Sequence, residues 1–379
     1  MQRLVALILS TASAYGRSVL RGVARFVREH ERWTLELVPD WNEQPQRVAG
    51  WRGHGIIAQV DSHPFLDALY AFGRPFVNVA DLRADLVAPT VISDNRDIGR
   101  MAAEHFLARG FRNFAFYGLE DTYYSQLRGE GYRLRVEEAG CRCAWRERRE
   151  EELESDDWTA VPLVEWLKSL RKPTGLLACN DVVSRLLARR CLAHGVMVPE
   201  EVAIVGVDND ETICVLGQVQ LSSVAVDGER IGYIAARRLA EQFTGERASD
   251  KTILVPPLEV VTRRSTNVLA VGDPVVATAM RFIHDHIRDR PSVNDVAEMV
   301  PIGRRTLEKR FRAALGRSVL QEIQRVRVEM ARELLVKTDL QMPQVAARAG
   351  FLDARQMWLV FSKRTGQSPS RYRAERRLR

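Results

Sequence analysis

QMPQVAARAGFLDARQMWLVFSKRTG, residues 341–366, reads as a short helical pattern, a break, and a longer basic helical pattern; SVNDVAEMVPIGRRTLEKRFRAALG, residues 292–316, has the same layout. Each segment carries a Val-Ala pair in its first helix, Val296–Ala297 and Val345–Ala346. This is the spacing of a helix-turn-helix, in which apolar residues anchor the first helix to the second and leave the second free to enter a major groove. The two units are expected over about 292–314 and 341–365. In the first, Leu307 and Phe311 stand four apart and face the core, which turns Arg304, Arg305, Thr306, Glu308, Lys309 and Arg312 outward. In the second, Met357, Val360 and Phe361 face inward, and Arg355, Gln356, Trp358, Lys363 and Arg364 point out. Arg and Gln near a helix start suit paired hydrogen bonds to guanine and adenine edges, and basic residues at its far end suit phosphates.

Between the two units, SVLQEIQRVRVEMARELLVK (318–337) has apolar residues at helical spacing. A helix of that length is about 30 Å long, close to one turn of duplex, so it can hold two reading heads in successive grooves. After Pro274 no strand pattern occurs, and helices are expected at 275–288, 292–300, 304–314, 318–337, 343–349, 354–364 and 369–377. Charge follows the same division. From Asp273 to Arg379 there are 22 Lys and Arg against 12 Asp and Glu, whereas the preceding 272 residues hold 34 against 37. The positive charge therefore belongs to the carboxyl-terminal quarter, as a polyanionic partner requires.

The rest of the chain has a different texture. LVALIL (4–9), GIIAQV (55–60), PFVNVA (75–80), NFAFYG (113–118), TGLLAC (174–179) and VAIVGV (202–207) read as buried strands, with helical patterns between them at 16–29, 97–109 and 181–194. That alternation predicts parallel sheets covered by helices on both faces. Gly110, Gly140 and Gly195 stand where helix stops belong. TILVPPLEVVTRRST (252–266) reads as a late extended segment, followed by a short linker around Asn267–Asp273. The expectation is an α/β region over 1–268 and an all-α region over 269–379.

Several function classes are disfavoured. No apolar run reaches the length of a membrane span. The first residues, MQRLVALILSTASAYGR, hold only six apolar residues in a row and no small-residue cleavage pattern, so a cytoplasmic location is expected rather than export as a sugar-binding transport protein. Five cysteines, none in a CxxC pair, argue for reduced thiols. No P-loop, no GxGxxG after a strand, no GxSxG and no HExxH occurs, and His284 and His286 lie on different faces of one helix. Neither an enzyme nor a metal or cofactor site is expected.

Residues 274–379 resemble the AraC family of bacterial regulators, through Gly350–Phe351, Phe361, Lys363, Gly366, Ser368–Pro369 and Tyr372–Arg373. Met357 and Ser362 depart from the usual aromatic and Lys, and Pro301 and Gly303 from the usual Gly and hydroxyl cap, so helix 304–314 is expected to lack a side-chain cap. VISDNRDIGRMAAEHFLARGFRNFAFYG (91–118), PEEVAIVGVDND (199–210) and QLSSVAVDGERIGYIAARRL (220–239) are similar to the LacI/GalR ligand-binding domain. The resemblance implies a two-lobed periplasmic-binding-protein-like sensor of type I over roughly 1–265. A sensor of this kind ahead of an AraC-type domain resembles the xylose-operon regulator group, as does AYGRSVLRGV (14–23).

From motif positions the resemblance implies Asp94 (SDN), Arg128 (RGEGY), Asn180 or Asp181 (CND) and Asp208 (GVDND) as sugar ligands. Tyr15 and Arg17 join them at the mouth of the first strand-to-helix loop, where open α/β sheets bind ligands. Planar polar groups with an aromatic ring are the chemistry that holds a sugar, although Val226 stands where the lactose-type sensors often place a polar residue. The implied function is a homodimeric, pentose-responsive transcription activator with duplex DNA and RNA polymerase as partners; a repressor, or a regulator with a different effector, is the alternative.

Overall fold

The computed structural model describes residues 3–149, 161–245, 251–267 and 273–377. The chain forms two compact units, Met1–Val268 and Leu269–Arg379. Except for its two ends, the linker expected around Asn267–Asp273 lies outside the described residues.

The first unit has two lobes, each built on a parallel sheet. In the first lobe the strands run in the order Trp33–Leu37, Arg3–Ile8, Gly55–Ala58 and Phe76–Asn78. A bridge from Asn78 to Thr90 carries the sheet on to the parallel pair Val91–Ser93 and Ile253–Val255. The first strand shows why: Val5, Leu7 and Leu9 pack on one side with helices Ala14–His30 and Gly228–Phe243. Ala6 and Ile8 pack on the other with Phe65 and Leu69 of helix His63–Phe72. A strand buried on both faces reads as a continuous apolar run, the mark of a parallel sheet.

The second lobe's sheet runs Glu259–Val261, Ser222–Ala225, Val202–Val207, Thr174–Ala178, Asn113–Leu119 and Cys143–Arg148, all parallel except the first, which pairs antiparallel. The chain passes between lobes three times: after Ser93, between Ala225 and Gly228, and between Val255 and Glu259. Three crossings place a cleft between lobes that both belong to one folding unit, as a type I binding protein requires.

In each lobe a helix pair crosses at glycines. A Cβ on Gly22 would lie 1.9 Å from the Glu229 carbonyl, and one on Gly232 1.9 Å from the Val19 carbonyl, joining helices Ala14–His30 and Gly228–Phe243. Gly99 against Arg128 and Gly131 against Arg96 do the same for helices Asn95–Ala108 and Tyr123–Glu138.

The second unit holds helices Pro274–Asp285, Val293–Glu298, Arg304–Leu315, Val319–Lys337, Met342–Arg348, Ala354–Thr365 and Pro369–Arg377. These follow the expected ranges closely; the one change is at the end of the first, where His286 interrupts the helix and Ile287–Asp289 forms a separate 3-10 turn. Two small cores form. One gathers Val276, Ile283, Val296, Leu307, Phe311 and Ile323; the other Ala331, Val345, Ala346, Phe351, Met357 and Phe361. Helix Val319–Lys337 supplies residues to both, and its 19 residues give a length of about 28 Å. Among the described residues no helix is long and apolar enough to cross a membrane.

Candidate effector cleft and nucleic-acid interface

Asp208 directly follows strand Val202–Val207, and Asn180 lies two residues beyond Thr174–Ala178, so both sit at carboxyl ends of neighbouring parallel strands, where open α/β sheets take ligands. The backbone at Asp208 and Asn209 has φ of 102° and 52°, a region that side chains other than Gly rarely adopt and that clusters at functional sites. Each residue of this turn is pinned. The Asp208 N–H donates to the Val224 carbonyl at 3.0 Å, that of Asn209 to Ser223 Oγ at 2.9 Å, and that of Asp210 to Asp181 Oδ2 at 2.8 Å. Arg263 Nη2 donates to Asn209 Oδ1 at 2.8 Å.

Arg128 reaches this turn from helix Tyr123–Glu138. Its side chain is only 6% exposed. Nε donates to Asn95 Oδ1 at 2.9 Å, Nη1 to the Cys179 carbonyl at 2.6 Å, and Nη2 to Asp208 Oδ1 at 3.4 Å. The guanidinium also lies over the Tyr124 ring, 4.6 Å from its centroid. Three of its donor directions are thus committed within the protein, to Asn95, the Cys179 carbonyl and Asp208. Asn95 in turn donates to Asp81 Oδ2 at 3.0 Å, and Asn180 Nδ2 to the Tyr124 hydroxyl at 3.2 Å.

From the first lobe, the Tyr15 hydroxyl donates to the Val79 carbonyl at 2.7 Å. Burial raises its pKa, and the carboxylates of Asp208 and Asp81 add to the effect while Arg128 opposes it. Burial likewise raises the carboxyls of Asp208 and Asp81 against the pull of Arg128. Residues of both lobes therefore share one electrostatic environment, with two carboxylates facing one guanidinium. Such a cleft offers both acceptors and donors on planar groups, which suits a neutral polyhydroxylated molecule. Across the cleft, Arg17 Nη1 donates to the Thr11 and Ala12 carbonyls and Nη2 to Asp210 Oδ2 at 3.0 Å, so an ion pair joins the lobes.

The structure brings Tyr15, Arg128, Asn180 and Asp208 together, and places Arg17 at the lobe-to-lobe contact. Asp94 stands differently: its Oδ1 accepts from the Asp97 N–H at 3.0 Å and caps helix Asn95–Ala108, while its neighbour Asn95 meets Arg128. Of the pair left open in CND, Asn180 faces Tyr124, whereas Asp181 is buried beneath the 208–210 turn. Asp81, Asn95, Tyr124 and Asp210 were missed by sequence reasoning. Asp81 had a usable signal, since it follows the end of the strand pattern PFVNVA; Tyr124 had none.

In the second unit, Leu307, Phe311, Met357 and Phe361 are buried and Val360 is partly so, which turns the opposite faces of helices Arg304–Leu315 and Ala354–Thr365 outward. Arg305, Thr306, Lys309, Arg312, Arg355 and Lys363 are exposed. Gly303 caps the first of these helices without a side-chain bond, whereas Asp353 caps the second through Oδ1, which accepts from the Gln356 N–H. Gly350, at φ 79°, lies so close to the Ile287 carbonyl that a Cβ would approach to 2.0 Å; only Gly fits there.

Two residues expected to point outward, Glu308 and Gln356, are half-buried, while Arg304 and Arg364 are exposed as expected and also bind within the unit. Glu308 is half-buried rather than outward, with Oε2 lacking a hydrogen-bond partner among the described residues, because it sits on the flank beside Leu307. Arg364 donates from Nη2 to the Gln321 carbonyl at 2.7 Å and so ties its helix to Val319–Lys337. Gln356 is half-buried, and its Oε1 accepts from the Leu352 N–H. Arg304 is exposed but donates to Asn294 Oδ1 at 2.8 Å, bracing the two helices of its unit. His286 pairs with Asp289, and the His284 side chain lies outside the described residues. No cluster of potential metal ligands occurs among the described residues.

Comparison with known proteins places these features in one lineage. Residues 4–86 match the model of the XylR N-terminal domain, 103–266 that of a periplasmic binding protein-like domain, and 296–375 that of a helix-turn-helix domain. The xylose operon regulatory protein of Escherichia coli K12 is 30% identical over 377 residues, 97% of this chain and 96% of its own length. The chain belongs to the xylose operon regulatory protein family. The Haemophilus influenzae member is 28% identical over 97% of each chain. The solved structure of a xylose-binding transcription activator xylR covers 99% of this chain and 98% of its own, with a TM-score of 0.63 and 29% identity. A LacI family regulator from Enterococcus faecium, solved with ribose, shares the sensor fold at a TM-score of 0.55 and 19% identity, over 69% of this chain and 98% of its own. As a family member the chain is a sugar-sensing, DNA-binding transcription regulator of the AraC type rather than an enzyme.

Proposed function

We propose that this regulator senses a pentose, xylose in the first instance, and activates transcription of the genes that consume it. The sensor comprises residues 1–268 and the DNA-binding domain 269–379. The observation that carries the effector reading is the cleft in which Tyr15 of one lobe and Arg128 and Asp208 of the other share one electrostatic environment. Tyr15, Arg17, Arg128, Asn180 and Asp208 contact or enclose the sugar, with Asp81, Asn95 and Tyr124 beside them; Asp94 contributes by fixing the helix that carries Asn95. Arg305, Thr306, Lys309, Arg312, Arg355, Gln356 and Lys363 meet DNA, and Arg304 and Arg364 brace the helices that do, with Glu308 on their flank. The protein works in the cytoplasm as a homodimer, so that two pairs of heads read tandem half-sites and place RNA polymerase at the promoter.

Sugar binding would close the lobes, and the free energy of closure would bias the DNA-bound arrangement. Full-length protein is heated with xylose, arabinose, ribose, glucose or no sugar. A ligand present at 100 times its Kd stabilises by about 2.7 kcal/mol, so xylose is expected to raise Tm by several degrees and Asp208→Asn to abolish the rise. Indifference to every pentose would remove the effector assignment. A reporter whose expression falls on adding the sugar would replace activator by repressor.

A further inference from the structure

The two reading helices superpose in sequence at an offset of fifty: Arg305 with Arg355, Leu307 with Met357, Phe311 with Phe361, Gly316 with Gly366. Their buried pairs hold the same positions, and both helices end on a left-handed Gly, at φ 67° and 75°. The outward faces can therefore be compared position by position, and they differ. Where the first helix carries Lys309 and Arg312, the second carries Leu359 and Ser362; beside the half-buried Glu308 of the first stands Trp358 of the second. Leu359 is 54% exposed and Trp358 52%. Leu359 lies four residues after Arg355 and four before Lys363, in the middle of the outward stripe.

A single exposed Leu carries no message. Here two large apolar side chains are adjacent on a face bounded by cations, at positions that the duplicate helix fills with a cation and a carboxylate. The flanking Arg355 and Lys363 suit a polyanion, which selects duplex DNA as the occupant. The apolar group that a major groove offers to such a face is the thymine C5-methyl.

We propose that the two heads divide their work: the second reads thymine methyls through Leu359 and Trp358, and the first anchors the protein to phosphate through Lys309 and Arg312. This rests on the DNA-binding reading of the family and adds the chemistry each head recognises. In the first head the absent side-chain cap at Gly303 and the density of unpaired cations, with Arg305, Lys309 and Arg312 making no ion pair among the described residues, fit charge neutralisation. Phosphate contacts supply affinity without sequence information, whereas groove contacts discriminate.

The test begins with duplexes enriched by the full-length protein from a random-sequence pool. Each thymine of an enriched duplex is then replaced by deoxyuridine, which removes one methyl and nothing else. Wild type is expected to lose about fourfold in affinity at one or more positions, the worth of burying one methyl group. Leu359→Ala should lose the discrimination at one or more of these positions, and Leu359→Ala with Trp358→Ala at all of them, with the salt dependence of binding unchanged. Lys309→Ala should keep the methyl discrimination, weaken binding to all duplexes alike, and lower the slope of log K against log salt by roughly one. Leu359 is exposed, so its variant leaves the core intact, and Leu359→Lys checks this by raising the salt slope instead. Enriched duplexes whose uracil forms bind wild type equally overturn the division of labour alone. A pool in which no duplex is enriched overturns the DNA-binding reading with it.

Discussion

Asp181 shows how a carboxyl with no direct part in the effector cleft can set its shape. It is 2% exposed and accepts the Asp210 N–H, so it fixes the turn that presents Asp208. Burial, with Asp208 nearby, pushes its carboxyl up to about 7, far above the ordinary value near 3.9. Between those values the folded chain holds a proton that the unfolded chain has released, so the stability contribution falls as pH rises toward 7 and is fully lost above it. Asp181→Asn removes this titration. Measured by urea unfolding, the variant should gain roughly 2 kcal/mol relative to wild type between pH 5 and pH 8, one pKa unit being worth about 1.4 kcal/mol. A difference that stays flat across that range would place the carboxyl in the ordinary range. Arg128 and Asp208 make the complementary point: the sequence motif names the pair, while the burial that makes their contact matter comes from strands and helices far along the chain.

Helix crossings set the precision with which these side chains meet. Gly131 lies one turn from Arg128 on helix Tyr123–Glu138, and its missing Cβ lets that helix touch the Arg96 backbone. Gly131→Ala would place a methyl 2.1 Å from the Arg96 carbonyl oxygen. The helices must part, at a cost of about 1–3 kcal/mol, and Arg128 moves with them. Sugar-induced stabilisation should then fall more than the basal Tm does; equal losses in both would show that the crossing supports folding and leaves the cleft untouched. In the DNA-binding unit, Arg364 and Gly350 play the corresponding part. One fastens the second reading helix to Val319–Lys337 and the other seats its unit on Ile287. The heads are spaced by a packed helix rather than by a tether.

The chain as a whole joins a two-lobed sensor to a basic reader, and the pair that spans the cleft belongs to that level. Arg17 and Asp210 are 193 residues apart and 3.0 Å from each other, one on each lobe. The side chain of Arg17 is 40% exposed, so its pair is worth little, roughly 0.5–1 kcal/mol. A weak latch still tilts an open–closed balance. Arg17→Ala is expected to raise the Kd for the sugar about two- to fivefold by isothermal titration calorimetry, with more ordered chain gained on binding. A Kd unchanged within twofold would mean that the pair forms equally in open and closed forms.

Much of this was legible in the residues. The helices of the reader were placed by apolar spacing, Gly and Pro, because each carries its own amphipathic stripe and local stops. The strands VAIVGV and NFAFYG were readable because burial on both faces leaves an unbroken apolar run. Trp33–Leu37 and Cys143–Arg148 were not, since at the sheet edges the first mixes exposed and buried residues, the second is half-buried throughout, and the apolar run is lost. The chemistry of the site divides the same way. Local order along the chain was enough to assign the two helix-turn-helix units and their charge, and the family resemblance pointed to the acids and amide at strand ends. It was not enough to show that Asp94 caps a helix while Asn95 meets Arg128, that Asp81 and Tyr124 stand beside them, or that Glu308 is half-buried and Arg364 binds the Gln321 carbonyl. Those outcomes depend on which backbones approach within a few ångströms across long stretches of chain, and such distances are set when the lobes and helices pack, not by the pattern of neighbours along the sequence.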